Sequence, residues 1–185
     1  MTLKNFIKRK TFILAAFMAL IIPNSFAQNI NSVAKSQFKI NVLLPGLVYE
    51  YGLSSKNTLY AEISSGYGYT SNMFGNTWSF YPYADTQFRH YYNLDKRAAN
   101  NKTTAHNTGS FVALMGVYNF ESINTNKNFF PAQSSFTLAP AWGFQRTYNK
   151  KFNLDLSAGI GYNFQGSDSN IIPVINFTLG WVIGK

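Results

Sequence analysis

The stretch Phe136-Thr-Leu-Ala-Pro-Ala-Trp-Gly-Phe-Gln-Arg-Thr-Tyr148 alternates without a slip. Its even positions hold Phe136, Leu138, Pro140, Trp142, Phe144, Arg146 and Tyr148, and its odd ones Thr137, Ala139, Ala141, Gly143, Gln145 and Thr147. Successive strand side chains point to opposite faces, so this period of two predicts a strand with one large, mostly apolar face and one small, polar face. Residues 152–164 repeat the pattern, with Phe152, Leu154, Leu156, Ile160, Tyr162 and Phe164 opposed to Asn153, Asp155, Ser157, Gly159, Gly161 and Asn163. So do residues 171–183, with Ile171, Ile175, Phe177, Leu179, Trp181 and Ile183 opposed to Asn176, Thr178 and Gly180.

Working outward, the alternation is looser. Phe38, Ile40, Val42 and Leu44 oppose Lys39 and Asn41, and Leu47, Tyr49, Tyr51 and Leu53 oppose Glu50 and Gly52. Leu59, Ala61, Ile63, Tyr67 and Tyr69 oppose Glu62, Ser64, Gly66 and Gly68, while Trp78, Phe80, Ala84, Phe88 and Tyr92 oppose Ser79, Asp85, Gln87 and Arg89. Residues 111–120 are apolar on both faces. Turn-forming residues separate the runs at Pro45-Gly46, 54–57, 71–76, 94–108, 121–132, 149–151 and 166–170. These breaks make eight strands if Pro45-Gly46 is a turn and seven if it is only a kink. Eight is preferred, because an even number of sequential hairpins brings both ends of a closed sheet to the same side.

The composition agrees with an all-β chain. Of 185 residues 46% are hydrophobic, 17% aromatic and only 12% charged, with 13 glycines and no cysteine. That balance excludes a coiled coil, a collagen-like repeat and a disordered tail, and it leaves neither disulfides nor a thiolate metal site. Residues 1–27 read as a secretory signal peptide. Lys4, Lys8, Arg9 and Lys10 precede an apolar run over 11–22, then Pro23 and Ser25-Phe26-Ala27. The run is too short to cross a bilayer as an anchoring helix, which takes about 20 residues. Cleavage before Gln28 removes 4 of the 16 basic residues, leaving 12 against 7 acidic ones, a net +5 on one domain spanning 28–185. Without a basic stripe that charge does not point to nucleic acid.

Period two also fits a soluble sandwich or lipocalin-like barrel, whose apolar face points inward. Volume argues otherwise, since an eight-stranded barrel has an interior only wide enough for side chains. Small polar residues would fit there, and the bulky ones would coat an exterior facing hydrocarbon. Closure also satisfies every strand-edge hydrogen-bonding group, as lipid demands. Tyr60, Tyr67, Tyr69 and Trp78 suit an aromatic girdle at one interface, and Tyr92, Tyr148 and Trp181 one at the other. Arg146 would snorkel to headgroups. A 16-stranded pore needs about 144 strand residues and is too large for this chain.

With these features the chain resembles the small eight-stranded outer-membrane barrels of the OmpA transmembrane-domain and OmpX type, and more closely the uncharacterised exported outer-membrane β-barrel families. The resemblance covers roughly residues 36–185. It rests on the leader, the alternating hairpins, the Arg89-His90-Tyr91-Tyr92 strand end and the final strand from Asn176 onward. It implies an eight-stranded antiparallel up-and-down transmembrane β-barrel in the outer membrane of a Gram-negative cell. The barrel would be a monomer among outer-membrane lipids, inserted by the outer-membrane assembly machinery. Such barrels usually finish on an aromatic residue read by that machinery, whereas this chain ends Ile183-Gly184-Lys185.

By parity the barrel interior receives Lys39, Glu50, Glu62, Asp85, Arg89 and Asp155, two positive and four negative. Isolated charges in a narrow interior are costly, so they should form an ion-pair and hydrogen-bond network, the alternative being a proton or ion path. The excess of carboxylates calls for a protonated member or for Lys35 to join. His90 has outward parity and His106 sits in a polar loop; neither pairs with a nucleophile or a carboxylate in a pattern of hydrolysis or zinc binding. Gly66-Tyr-Gly68 and Gly159-Ile-Gly161 lie within strands and make no phosphate cradle. The basic segment 94–108 could touch anionic headgroups or a partner, or simply be a solvated loop, and is long for the side it occupies. No catalytic, cofactor or metal residues are assigned. Three function classes stay open: a non-enzymatic structural or surface-interaction barrel acting through loops 71–76, 121–132 and 166–170, a small-solute or ion transporter, and a lipid-modifying enzyme. The first is preferred.

Overall fold

The computed structural model describes residues 32–73, 75–149 and 151–183. The expected leader over 1–27 lies outside the described residues. In chain order the elements are β1 (Ser36–Asn41), β2 (Gly46–Gly52), β3 (Asn57–Asn72), β4 (Gly75–Tyr91), α1 (Leu94–Ala99), a 3-10 turn (Ala105–Asn107), β5 (Gly109–Asn119), β6 (Ile123–Asn124), β7 (Ser135–Tyr148), β8 (Phe152–Gln165) and β9 (Asp168–Ile183). The strands form one antiparallel sheet in which each pairs with its sequence neighbour, β6 excepted, and β9 returns to pair with β1. Eight strands thus make a closed ring. Pro45 ends a turn over 42–45, as the eight-strand count requires. The two-residue β6 lies inside the expected loop 121–132 and adds to the flank of β4 at Phe80 and Ser79.

Burial follows the parity of the sequence. Asn153, Asp155 and Ser157 are buried on β8, while Ile160, Tyr162 and Phe164 are exposed. Phe136, Trp142 and Phe177, which a dry centre would have gathered, face out. Turn chemistry holds at the tips: Gly75, at φ +109, takes a conformation that side chains disfavour, and Gly166 and Asn149 have positive φ at the β8–β9 and β7–β8 turns. Residues 111–120 resolve the same way, with Phe111 and Met115 buried and Val112 and Leu114 exposed.

The interior is not limited to small residues. Tyr60, Tyr91, Phe111 and Met115 are wholly inside, so Tyr60 belongs to the interior and not to a girdle. The register explains the room. Crossing the sheet at right angles from Ile40 leads through Leu47, Ile63, Ala84, Tyr118, Phe136 and Phe164 to Ser169, yet Ile40 itself pairs with Trp181. One circuit therefore climbs from 181 to 169, a stagger of twelve residues. A large stagger tilts the strands and widens the ring for the same strand number.

The wall is uneven. β3, β4 and β9 run 16, 17 and 16 residues, but β1 and β2 only 6 and 7. Among the described residues, beyond the short β1–β2 hairpin, β3 from Gly66 to Ser71 pairs only with β4, and β9 from Asp168 to Thr178 pairs only with β8. The ring is complete at the end holding residues 36 and 183 and notched at the other, between β3 and β9. The segment 93–108 folds across the complete end. Leu94 is fully buried against Val33, Tyr91 and Phe111. Ala34 N–H donates to Asn107 Oδ1 at 2.6 Å, Ser110 N–H to Asn93 Oδ1 at 2.7 Å and Gln145 Nε2 to the His106 carbonyl at 2.6 Å. This segment is a plug and not simply a solvated loop, because Leu94 and Asn107 tie it inward while Lys96 and Lys102 stay in solvent.

Candidate functional site

All six interior residues expected from parity, Lys39, Glu50, Glu62, Asp85, Arg89 and Asp155, are buried. They separate into two groups along the ring. In the plugged half, Arg89 Nη1 donates to Asp155 Oδ2 at 2.6 Å and Nη2 to Oδ1 at 3.3 Å, the paired geometry a guanidinium favours. Lys39 Nζ lies 3.1 Å from Glu50 Oε2. Gln145 Oε1 links the pairs by accepting from Lys39 Nζ at 2.6 Å and from Arg89 Nη1 at 3.3 Å. Glu50 Oε1 also accepts from Thr58 Oγ1 and Tyr91 Oη, and the Arg89 guanidinium lies over the rings of Tyr60 and Phe111 at 3.7 and 4.2 Å. Two cations meet two carboxylates here, each with several partners.

The notched half holds Glu62 and Asp85 with neutral donors only. Glu62 accepts from Tyr60 Oη at 2.6 Å, Asn41 Nδ2 at 2.9 Å and Tyr83 Oη at 3.2 Å. Asp85 Oδ2 accepts from Gln87 Nε2 at 2.6 Å, and Asn176 Nδ2 reaches both carboxylates, Asp85 at 3.0 Å and Glu62 at 3.2 Å. Among the described residues Asp85 Oδ1 has no partner. Lys35 does not supply the missing charge: it is exposed, with Nζ over the Tyr51 ring at 4.5 Å. The short β1–β2 hairpin carries it away from this half.

Beside Asp85 lies a cavity of about 180 Å³ lined by Leu44, Tyr83, Asp85, Met115, Val174 and Asn176 among others. Leu44 comes from the β1–β2 turn and Val174 from the stretch of β9 that borders the notch. The cavity therefore sits where the filled interior ends and the wall is missing.

Tyr60, Gln87, Tyr91, Gln145 and Asn176 complete the network; the sequence reading put Gln87, Gln145 and Asn176 on polar faces without a role in it, and Tyr60 in a girdle. Tyr60 shares the parity of Glu62, and Tyr91 that of Arg89, so strict parity would have placed both inside. His90 faces outward as expected and is hydrogen-bonded through Nδ1 to Asn57 Oδ1 at 2.7 Å. His106 is half-buried; burial, and after it the Lys39 charge, lowers its pKa from the ordinary value of 6.5. Arg146 lies on the outer side near the plug, donating to the Gly109 and Gln145 carbonyls at 2.6 and 2.7 Å. Among the described residues no group of three or more His, Cys, Asp or Glu converges as a metal site would require. The chain matches no family model, no characterised protein and no solved structure.

Proposed function

We propose that the chain is an eight-stranded up-and-down transmembrane β-barrel of the outer membrane, exported by its leader, without enzymatic activity and with a structural or surface-interaction role. The observation that carries this reading is the outer face of the ring. Ile63, Ile160, Ile171 and Ile175 are 68%, 66%, 71% and 72% exposed on a wall whose other outward residues are also largely apolar. A soluble monomer rarely exposes more than a few hundred Å² of contiguous apolar surface, whereas hydrocarbon accepts it at no cost. Exposed Tyr67, Tyr69 and Trp78 lie towards the notched end, and exposed Tyr92, Tyr148 and Trp181 towards the plugged end. Phe136 and Tyr148 sit near opposite ends of β7, a height of roughly 28 Å at a tilt of about 45°, close to the ~25 Å apolar band of such barrels.

With the end that holds residues 36 and 183 taken as periplasmic, the plugged end faces the periplasm. The tips at Met73 and Phe130, 91% and 97% exposed, project from the other end together with the loop 121–132, and these suit contact with a surface partner. The lower interior, filled by Arg89 and its partners, favours this role over a through-channel. Lipids and the outer-membrane assembly machinery would be its partners, and the barrel would act as a monomer. Membrane fractionation and electrophoresis of detergent-refolded protein, with and without heating, test the reading. A heat-modifiable band in the outer-membrane fraction is expected; a soluble periplasmic protein without a mobility shift would refute it.

A further inference from the structure

We infer that the cavity beside Asp85 is a binding site for a small organic cation with an apolar body, such as an aliphatic primary amine, admitted through the notch between β3 and β9. Three observations converge. The first is charge: Glu62 and Asp85 are joined through Asn176 and surrounded by neutral donors, whereas the interior carboxylates of the plugged half, Glu50 and Asp155, meet Lys39 and Arg89. Two buried carboxylates without a cation are costly, and an arriving ammonium group would relieve them. The second is an open acceptor. Asp85 is 1% exposed and lines the cavity, its Oδ2 accepts two hydrogen bonds, and its Oδ1 accepts none. Oδ1 has almost no accessible surface, so a donor in the cavity meets it once the Asp85 side chain turns towards that space; an ammonium group would then satisfy it, where a carboxylate or phosphate ligand would be repelled.

The third is shape. About 180 Å³ is somewhat more than the 150 Å³ of an engineered apolar cavity that admits benzene, so a ring or a chain of about six carbons fits. Leu44, Met115 and Val174 supply the apolar walls for that body. Leu44 and Val174 flank the missing part of the wall, so the entrance is lateral. That the entrance meets hydrocarbon rests on the membrane reading; the recognition chemistry at Asp85 does not.

The test is calorimetric titration of the refolded full-length chain with cyclohexylammonium chloride, and in parallel with cyclohexanol, which has the same ring but no charge. Saturable binding of one cation per chain is expected, with cyclohexanol at least about tenfold weaker, because a hydrogen bond to a charged group is the stronger kind. Asp85→Asn keeps an acceptor for Gln87 and Asn176 and should lose at least about tenfold in affinity for the amine. Val174→Trp should abolish binding by filling the space while leaving the carboxylates in place. Equal affinity for amine and alcohol, undiminished binding by Asp85→Asn, or absence of saturable binding each overturns the inference. Should Asp85→Asn fail to fold, the amine–alcohol comparison and Val174→Trp decide. A protein that proves soluble yet binds the amine through Asp85 would refute the membrane reading and keep the site; a membrane-inserted protein with no amine binding would do the reverse.

Discussion

The two halves of the interior each bury a pair of carboxylates and solve the same problem differently. Around Lys39, Glu50, Arg89 and Asp155 charge is matched and packed, and the plug of residues 93–108 shuts that end. Around Glu62 and Asp85 the carboxylates are held by Tyr and Asn donors, one oxygen is left over and the wall beside them stops short. A protein needing only stability would neutralise both halves alike. Matched charge is concentrated where the ring is complete, and unmatched charge where it is notched.

Four measurements sharpen or break this contrast. Arg89→Met should be the most damaging, costing about 3–5 kcal/mol in urea unfolding from detergent, because it strands Asp155 and Gln87 in the dry interior. A loss under 1 kcal/mol would mean that the plugged half is not organised by its charges. Leu94→Ala should cost about 2–4 kcal/mol, since Leu94 is fully buried against Val33, Tyr91 and Phe111; an unchanged unfolding midpoint would show that the plug does not close that end. In the notched half, Asp85→Asn should leave stability unchanged or raise it by about 1 kcal/mol, because the charge removed has no cation. A loss as large as that of Arg89→Met would erase the difference between the halves.

The smallest effect concerns pH. The folded chain lowers the pKa of His106, so the neutral imidazole is favoured by folding. Its contribution is fully present above the ordinary value of 6.5 and is lost as pH falls below that value and through the lowered one. His106→Gln should flatten that part of a stability–pH curve measured between pH 7.5 and 5, and an unaltered slope would place the acid sensitivity elsewhere.

Much of the fold was legible because alternation is local. Phe136 to Tyr148 announces its two faces without reference to any other strand, and the six interior charges follow from the same parity. What escaped is set by long-range register. The twelve-residue stagger depends on how β9 meets β1, and no local pattern carries it; without it the ring looked too narrow for Tyr60, Tyr91 and Phe111. The plug escaped because Leu94 and Asn107 are single anchors in a polar segment with no period to detect. The separation of the charges into balanced and unbalanced groups needed three-dimensional neighbours, above all Gln145 and Asn176, which bridge strands 106 and 114 positions away in the chain.

The junction of β1 with β9 has only four residue pairs, Phe38 with Ile183 through Asn41 with Gly180, against sixteen between β3 and β4. At its end Gly180 passes so close to the Ile40 carbonyl that a Cβ there would stand 2.1 Å from the oxygen. This junction joins the first and last strands of the ring, far apart in sequence, and loop-closure entropy makes such distant pairing slow. It is the zip of the molecule, fastened last and, with fewer teeth than the other seams of the ring, the first to part: amide exchange in β1 should outpace that in β3 and β8, and a methyl group at position 180 should hasten unfolding.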